Sequence, residues 1–382
     1  MKILITTDLF TVQTNGVVTS VKNLLKELEK KGHEVRVLTF SDTRHGRKEA
    51  TVSYIGSVSL SFIYPNVRMP LSYHNKMVKE LIEWKPDVIH SQCEFFSYQF
   101  AKYISRRTKA PIIHTYHTLY EQYVGYVIPF RRFGRWAISK FVRHRLKNAK
   151  VIVAPTHKVK NALESYGIQN TISVLPSGIN LEQHQARISP AHREEKRRAL
   201  GIPANAKVLL NLGRLGEEKN LDELLRFFQK AIAVRQDLFF LIVGDGPAKE
   251  KLEKEAKKLG IWEKVHFTGM VSPAQVQEYY QLGDLFVNAS TSETQGLTYI
   301  EAAANSLPLL CREDLCLKDV LLPNENGFFY TNEADFLEAL ERLLNNSEQF
   351  KQMGKKSIEI AARFDKSVFG DKIDKLYYSV LQ

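Results

Sequence analysis

The chain of 382 residues holds only three cysteines, Cys93, Cys311 and Cys316. Three thiols build no disulfide framework, and Cys311 and Cys316 come without the partner residues of a metal-ligand set. A reducing compartment is the expectation. No run of about 18 apolar residues occurs, so no membrane-spanning helix is expected. The opening Met1-Lys2-Ile3-Leu4-Ile5 belongs to a short apolar run that reaches Asp8, and it lacks a signal-peptide cleavage pattern. A cytoplasmic chain is therefore expected. The Gly-x-Gly-x-x-Gly fingerprint of a dinucleotide site is missing. Asp-x-Asp, a carboxylate pair that often holds a diphosphate through a divalent metal, is missing as well. No obligatory metal or cofactor is expected.

Acid is also scarce in one region. Residues 122–163 contain no Asp or Glu but ten Lys or Arg. Residues 1–180 hold 27 basic and 12 acidic side chains, a balance of +15, whereas residues 181–382 hold 27 and 30, a balance of −3. A basic half of this kind favours an anionic partner, either nucleic acid or a membrane surface.

What is present is ordinary for a globular α/β protein, with 44% hydrophobic and 25% charged residues. Strand-like runs at 2–7, 34–40, 87–90, 112–115, 151–155 and 171–175 alternate with helical periodicity, as at 18–31, where Gly32 supplies the stop. The pattern restarts at 206–213 and continues through strands at 238–244, 265–268 and 284–289. Two successive α/β units follow: residues 1–180, and residues 181–365, with the helix at about 366–382 crossing back onto the first. Parallel sheets of this class take ligands at the carboxyl ends of their strands.

Candidate chemistry falls at those ends. Glu293-Thr294-Gln295-Gly296-Leu297-Thr298-Tyr299-Ile300-Glu301 follows the strand at 284–289 and enters a helix at 297–304. A helix start offers backbone N–H groups to an anion. A diphosphate there, with a hydroxyl-rich sugar at each end and one carboxylate for each sugar, describes a nucleotide sugar. The plainer reading is an acidic loop residue and an unrelated helical Glu. Gly213-Arg214-Leu215-Gly216-Glu217-Glu218-Lys219-Asn220 lies between another strand and helix. Gly213 admits close backbone approach, and Arg214 and Lys219 supply two cations for the diphosphate; surface cations on a common loop are the alternative. Asn15-Gly16-Val17 opens the first helix, with Gly16 suited to a phosphate or sugar. Ile112-Ile113-His114-Thr115-Tyr116-His117 ends a strand, with His117 at its tip and Tyr116 beside it. Asp245-Gly246 and Gly269-Met270-Val271 fit a nucleotide base or plain turns.

Together these pieces resemble the retaining glycosyltransferases of family 4, the Glu-x7-Glu family with the GT-B fold. The resemblance implies two Rossmann-like domains facing each other across a cleft, the first binding acceptor and the second the nucleotide sugar. By position, it implies that Glu293 contacts the transferred sugar and Glu301 the ribose. Gln295, Gly296 and Leu297 line the sugar-diphosphate. Arg214 and Lys219 stabilise the leaving diphosphate, and His117 stands beside the sugar. Within the family, Thr115-Tyr116-His117-Thr118-Leu119-Tyr120-Glu121 is similar to the bacterial diacylglycerol α-glucosyltransferases, which implies transfer of glucose from UDP-glucose to a membrane lipid. Three positions depart: Gln122 where an acidic residue is expected, Gly125 where a bulkier one is, and Ser306 where the wider family favours Gly. Another donor (GDP-mannose, UDP-galactose) or another acceptor stays open.

The basic region carries Arg131, Arg132, Phe133, Arg135, Trp136, Lys140 and Phe141 on one predicted helix, after an apolar stretch containing Tyr126. Phe133, Trp136, Ala137 and Phe141 are expected to share a face that lies at an anionic bilayer surface; an apolar face packed on its own sheet is the alternative. Peripheral attachment to the inner face of the cell membrane is the expected location, and Tyr116 and Tyr126 join the acceptor and membrane set. A nucleic-acid protein would share the basic half, but no nucleic-acid module is recognisable and none is expected as partner. A non-catalytic sugar-nucleotide sensor and a nucleotide-sugar epimerase are the other readings.

Overall fold

The computed structural model describes residues 1–10, 16–60, 67–119 and 131–382, apart from the side chains of Arg131, Arg132, Phe133 and Gln185. Tyr126 and the apolar stretches around it and at residues 61–66 lie outside the described residues. The chain forms two compact units, Met1–Gly178 with Lys366–Gln382, and Ile179–Asp365.

In the first unit the strands are β1 (Lys2–Thr6), β2 (Glu34–Phe40), β3 (Arg47–Glu49), β4 (Val52–Ile55), β5 (Ser57–Ser59), β6 (Arg68–Pro70), β7 (Val88–Ser91), β8 (Ile112–Thr115), β9 (Val151–Ala154) and β10 (Thr171–Val174). Among the described residues one sheet runs β10-β9-β8-β7-β1-β2-β4-β3, parallel except where β3 pairs antiparallel with β4, and β5 and β6 form a separate antiparallel pair. Strands β1 and β9 are buried on both faces and so read as nearly continuous apolar runs rather than alternating ones, while β7 and β8 end in the buried polar pairs His90-Ser91 and His114-Thr115. In β1, Leu4 points into one core layer with Ile89, Phe100 and Ile152, while Ile3 and Ile5 point into the other with Val21, Leu24 and Leu28. That second layer also takes Phe369, Ile373 and Tyr377 from the last helix, Lys366–Leu381. The Tyr377 hydroxyl meets His90 Nδ1 at 2.6 Å.

The second unit has β11 (Lys207–Leu212), β12 (Leu238–Val243), β13 (Val265–Phe267), β14 (Leu285–Asn288), β15 (Leu309–Arg312) and β16 (Gly327–Tyr330) in a parallel sheet of order β13-β12-β11-β14-β15-β16. All six residues of β12 are buried, with Phe240 and Ile242 in one core layer and Phe239, Leu241 and Val243 in the other. The strand order reverses beside β11, where β12 lies on one side and β14 on the other. The loops leaving β11 and β14 therefore emerge side by side at the switch point of the sheet. No helix among the described residues is long and apolar enough to cross a membrane.

Candidate active site

The loop after β14 turns into the helix Leu297–Ala304 through Gly296, whose φ is +72°. A Cβ on Gly296 would meet the buried Tyr299 ring at 2.3 Å. Backbone conformation and close packing thus both select glycine at this helix start. Gln295 is buried beneath it, and Leu297 is the first helical residue. The loop after β11 passes Gly213 and makes a single turn of 3-10 helix at Glu217–Lys219. Asn220 follows in the left-handed conformation, and its side-chain amide donates to Ala289 O at 3.2 Å, tying the two loops together.

This tie brings Lys219 onto Glu293, with Nζ donating to Oε1 at 2.6 Å, across 74 residues of sequence. Both side chains are about one-fifth exposed, at 21% and 19%. Arg214 pairs with Glu218, and its side chain is half exposed. Gly213 accepts a close neighbour: a Cβ on Gly244 would strike Gly213 O at 1.9 Å. Gly244 in turn donates its N–H to Gly269 O at 3.1 Å. The ends of β11, β12 and β13 are therefore packed backbone to backbone through three glycines. Met270, just beyond, is 78% exposed, while Val271 packs partly on the core.

Glu301 lies one turn into the helix and is turned to a buried partner, with the Tyr280 hydroxyl donating to Oε2 at 2.8 Å. Burial pushes the Glu301 carboxyl up from the usual range, and the Tyr280 bond acts against that rise. Sequence reasoning missed Tyr280, whose helix (Val276–Leu282) precedes β14 and shows no motif. Among the described residues no cluster of His, Cys, Asp and Glu could hold a metal ion.

In the first unit, His117 stands two residues beyond β8, half-buried, with Nε2 at 2.9 Å from Gln92 Oε1. A carbonyl oxygen accepts, so Nε2 carries the proton. Burial pushes the imidazole down to about 4, and it is neutral at physiological pH. Gly16 is the exposed first residue of the helix Gly16–Lys30. Tyr116 is not a surface residue: it is fully buried in the core, its ring edge-on to His114. It therefore leaves the membrane-facing set.

The basic helix runs from Arg131 to Leu146. Its aromatic side chains differ in depth. Trp136 is 55% exposed, with the Lys140 ammonium 5.1 Å from its ring centre. Phe141 instead packs towards the core alongside buried Val142 and Leu146, and its ring contacts Phe95 at 6.0 Å. Arg135 is exposed and donates to Ser165 Oγ at 3.2 Å. Trp136, Ala137, Lys140, Phe141, Arg143, His144 and Lys147 line one shallow surface depression.

Comparison with known proteins gives matches along nearly the whole chain. Residues 14–183 match the family described as Glycosyltransferase Family 4, and residues 192–360 the family described as Glycosyl transferases group 1. The chain is 32% identical over 385 residues to the alpha-monoglucosyldiacylglycerol synthase of Streptococcus pneumoniae, covering 100% of this chain and 86% of that protein. It is 29% identical over 391 residues to the enzyme of the same name from Acholeplasma laidlawii, covering 100% and 98%. The crystal structure of Anabaena HepE in complex with UDP and glucose has a TM-score of 0.76 at 17% identity, over 99% of this chain and 100% of that one.

Proposed function

This chain belongs to glycosyltransferase family 4 and has the GT-B fold of two Rossmann-like domains, and from that premise we propose that it transfers glucose from UDP-glucose to diacylglycerol, with retention at the sugar carbon. The chain is a hexosyltransferase. The relatives named as α-monoglucosyldiacylglycerol synthases, matched over their length, support the choice of sugar and acceptor.

One observation carries the donor reading: Lys219 is held on Glu293 beside a helix start opened by Gly296. A cation, a carboxylate and backbone N–H groups then meet at one strand end. In the proposed complex Lys219 and Arg214 take the diphosphate, and the backbone of Gln295, Gly296 and Leu297 lies along it. Glu293 accepts hydrogen bonds from the glucose hydroxyls and Glu301 from the ribose. Gly213 gives the backbone room to approach the donor, and Met270 and Val271 border the base. As charge builds on the departing UDP, fixed cations stabilise it without reorganisation. In the first unit Gly16 opens a helix suited to a phosphate or sugar, and neutral His117 serves as a hydrogen-bonding group rather than a cation.

The acceptor is met at a membrane surface. The exposed Trp136 ringed by Lys140, Arg143 and Lys147 is an interfacial side chain among cations, the combination that suits an anionic bilayer. We read the protein as a peripheral enzyme of the inner face of the cell membrane. The test supplies UDP-glucose, UDP-galactose or GDP-mannose with diacylglycerol in anionic vesicles and follows the products by mass spectrometry. Glucosyl-diacylglycerol from UDP-glucose is the expected product. Lipid product from another nucleotide only would overturn the donor, and none from any would overturn the acceptor.

A further inference from the structure

A second polar site lies in the first unit, at the carboxyl ends of β1, β7 and β8. Asp8 follows β1, Gln92 and Glu94 follow β7, Ser97 and Tyr98 begin the helix Phe96–Thr108, and His114 lies on β8. Gln92, Glu94, Ser97, Tyr98 and His114 are all at least 98% buried. Asp8 Oδ1 accepts from the Ser97 backbone N–H at 2.7 Å. Glu94 Oε1 lies 3.3 Å from His114 Nε2, and its charge acts on both Asp8 and His117, placing the three groups in one electrostatic neighbourhood.

The site is incomplete as it stands. Five of its buried atoms have no hydrogen-bond partner: Asp8 Oδ2, Gln92 Nε2, Ser97 Oγ, Tyr98 OH and His114 Nδ1. A buried polar atom left unpaired is costly, and native interiors pair nearly all of them. Gathering five in one place is the mark of a site whose partner comes from outside the fold. The set offers both acceptors and donors, which is what a hydroxyl group requires. Its border is apolar: Phe95, next in sequence to Glu94, is 41% exposed, and its ring contacts Phe141 on the helix that displays Trp136.

We propose that this polar cluster receives the hydroxyl of the acceptor alcohol, with Asp8 Oδ2 accepting its hydrogen bond and Gln92 Nε2 donating to the same oxygen. The inference rests on the lipid-glucosylating reading and adds to it the residues that hold the acceptor. The adjoining Phe95 and Phe141 rings suit the apolar part of an amphiphile. Asp8 binds and orients the alcohol, and no proton transfer is assigned to it.

The test compares wild type with Asp8→Asn and Gln92→Leu, using UDP-glucose and dioctanoylglycerol. Each variant is expected to raise KM for the alcohol or lower transfer by about 10- to 100-fold, the effect of one lost hydrogen bond to a charged or buried group. The Kd for UDP-glucose, measured by calorimetry, is expected to stay within twofold, which also shows that the variants are folded. Transfer by Asp8→Asn within twofold of wild type would overturn the assignment. A proportional loss of UDP-glucose affinity would overturn it too, by giving Asp8 to the donor. A wild-type enzyme that ignores dioctanoylglycerol would instead refute the functional reading. The Asp8 comparison is then made on the alcohol that the wild type does glucosylate, with the same two outcomes.

Discussion

The Lys219–Glu293 pair allows the donor assignment to be tested by separating its two halves. The Lys219 ammonium donates to the Glu293 carboxylate at 2.6 Å. At about one-fifth exposure, the pair is neither a surface bridge worth about 0–1 kcal/mol nor a fully desolvated one. On donor binding Lys219 has to share its protons with the diphosphate. Lys219→Met removes one charge-assisted hydrogen bond to that group, about 1.5–3 kcal/mol, and UDP binding should weaken about 10- to 150-fold. The departing UDP gathers more charge in the transition state, so kcat should fall further, by about 100- to 1,000-fold, as when a fixed electrostatic donor is removed elsewhere. Glu293→Gln acts the other way on UDP. It keeps the shape but releases Lys219 from its carboxylate, so UDP alone should bind as tightly as before or more tightly. UDP-glucose turnover should nonetheless drop by about 100-fold, because the glucose hydroxyls lose a charged acceptor. Calorimetric titration with UDP and steady-state kinetics with UDP-glucose give the two readouts. Equal loss of UDP affinity in both variants would refute the division of labour. So would a Lys219→Met enzyme with unchanged UDP binding.

Tyr280→Phe removes the hydrogen bond that opposes the burial-driven rise of the Glu301 carboxyl. Glu301 should then protonate at still higher pH, so the acid limb of kcat/KM for UDP-glucose moves upward while alkaline rates change little; an unmoved limb would remove Tyr280 as the group that positions Glu301. In the first unit, burial holds His90 and His117 at about 3 and about 4, below the ordinary 6.5, while Asp8 is pushed up to about 6 from 3.8. Between pH 6 and 4 the unfolded chain takes up two imidazole protons that the folded unit refuses, and the folded unit keeps one on Asp8 that the unfolded chain has lost. One net proton makes stability fall by about 1.4 kcal/mol per pH unit as pH drops through that window. Urea unfolding should show this slope, and Asp8→Asn should roughly double it. Finally, Ser306 has φ +67°, in the left-handed region that favours glycine. Ser306→Gly relieves about 1–2 kcal/mol of left-handed strain and costs about 0.5–1 in chain entropy. A net gain of about 0.5 kcal/mol in unfolding free energy should follow, and a loss would show that the Ser306 side chain holds a compensating contact.

The α/β class was legible because β1 and β12 are apolar on both faces, and a strand covered by helices on each side has no other pattern to show. Strands β3, β5 and β6 were not legible. They are three residues each and mostly half-buried or exposed, so they carry neither an apolar run nor a usable alternation. The helix Leu297–Ala304 could be placed from Gly296 and the apolar run after it. On the basic helix, pattern reading grouped Trp136 with Phe141, and both line one surface depression, but pattern does not give depth. Phe141 packs partly on the core beside buried Val142 and Leu146, while Trp136 stays exposed.

The candidate sites divide along the same line. Glu293 and Glu301 lie eight residues apart on one strand-loop-helix segment, and short spacing of that kind survives in the sequence. Their partners do not. Lys219 reaches Glu293 from 74 residues away because β11 and β14 are neighbours in a sheet whose order departs from chain order. Tyr280 reaches Glu301 from the preceding helix. Asp8, Gln92, Ser97 and His114 gather from three strand ends because β1, β7 and β8 are adjacent in the first sheet. Each of these residues is unremarkable along the chain: an Asp after a strand, a Gln, a Ser at a helix start. What distinguishes them is an atom left unpaired after folding, a property that exists only once the strands are side by side. The donor half of such an enzyme can therefore be found by motif, because a diphosphate is met by a local helix start. The groups that receive an alcohol have to be sought among the buried polar atoms that the fold leaves unsatisfied.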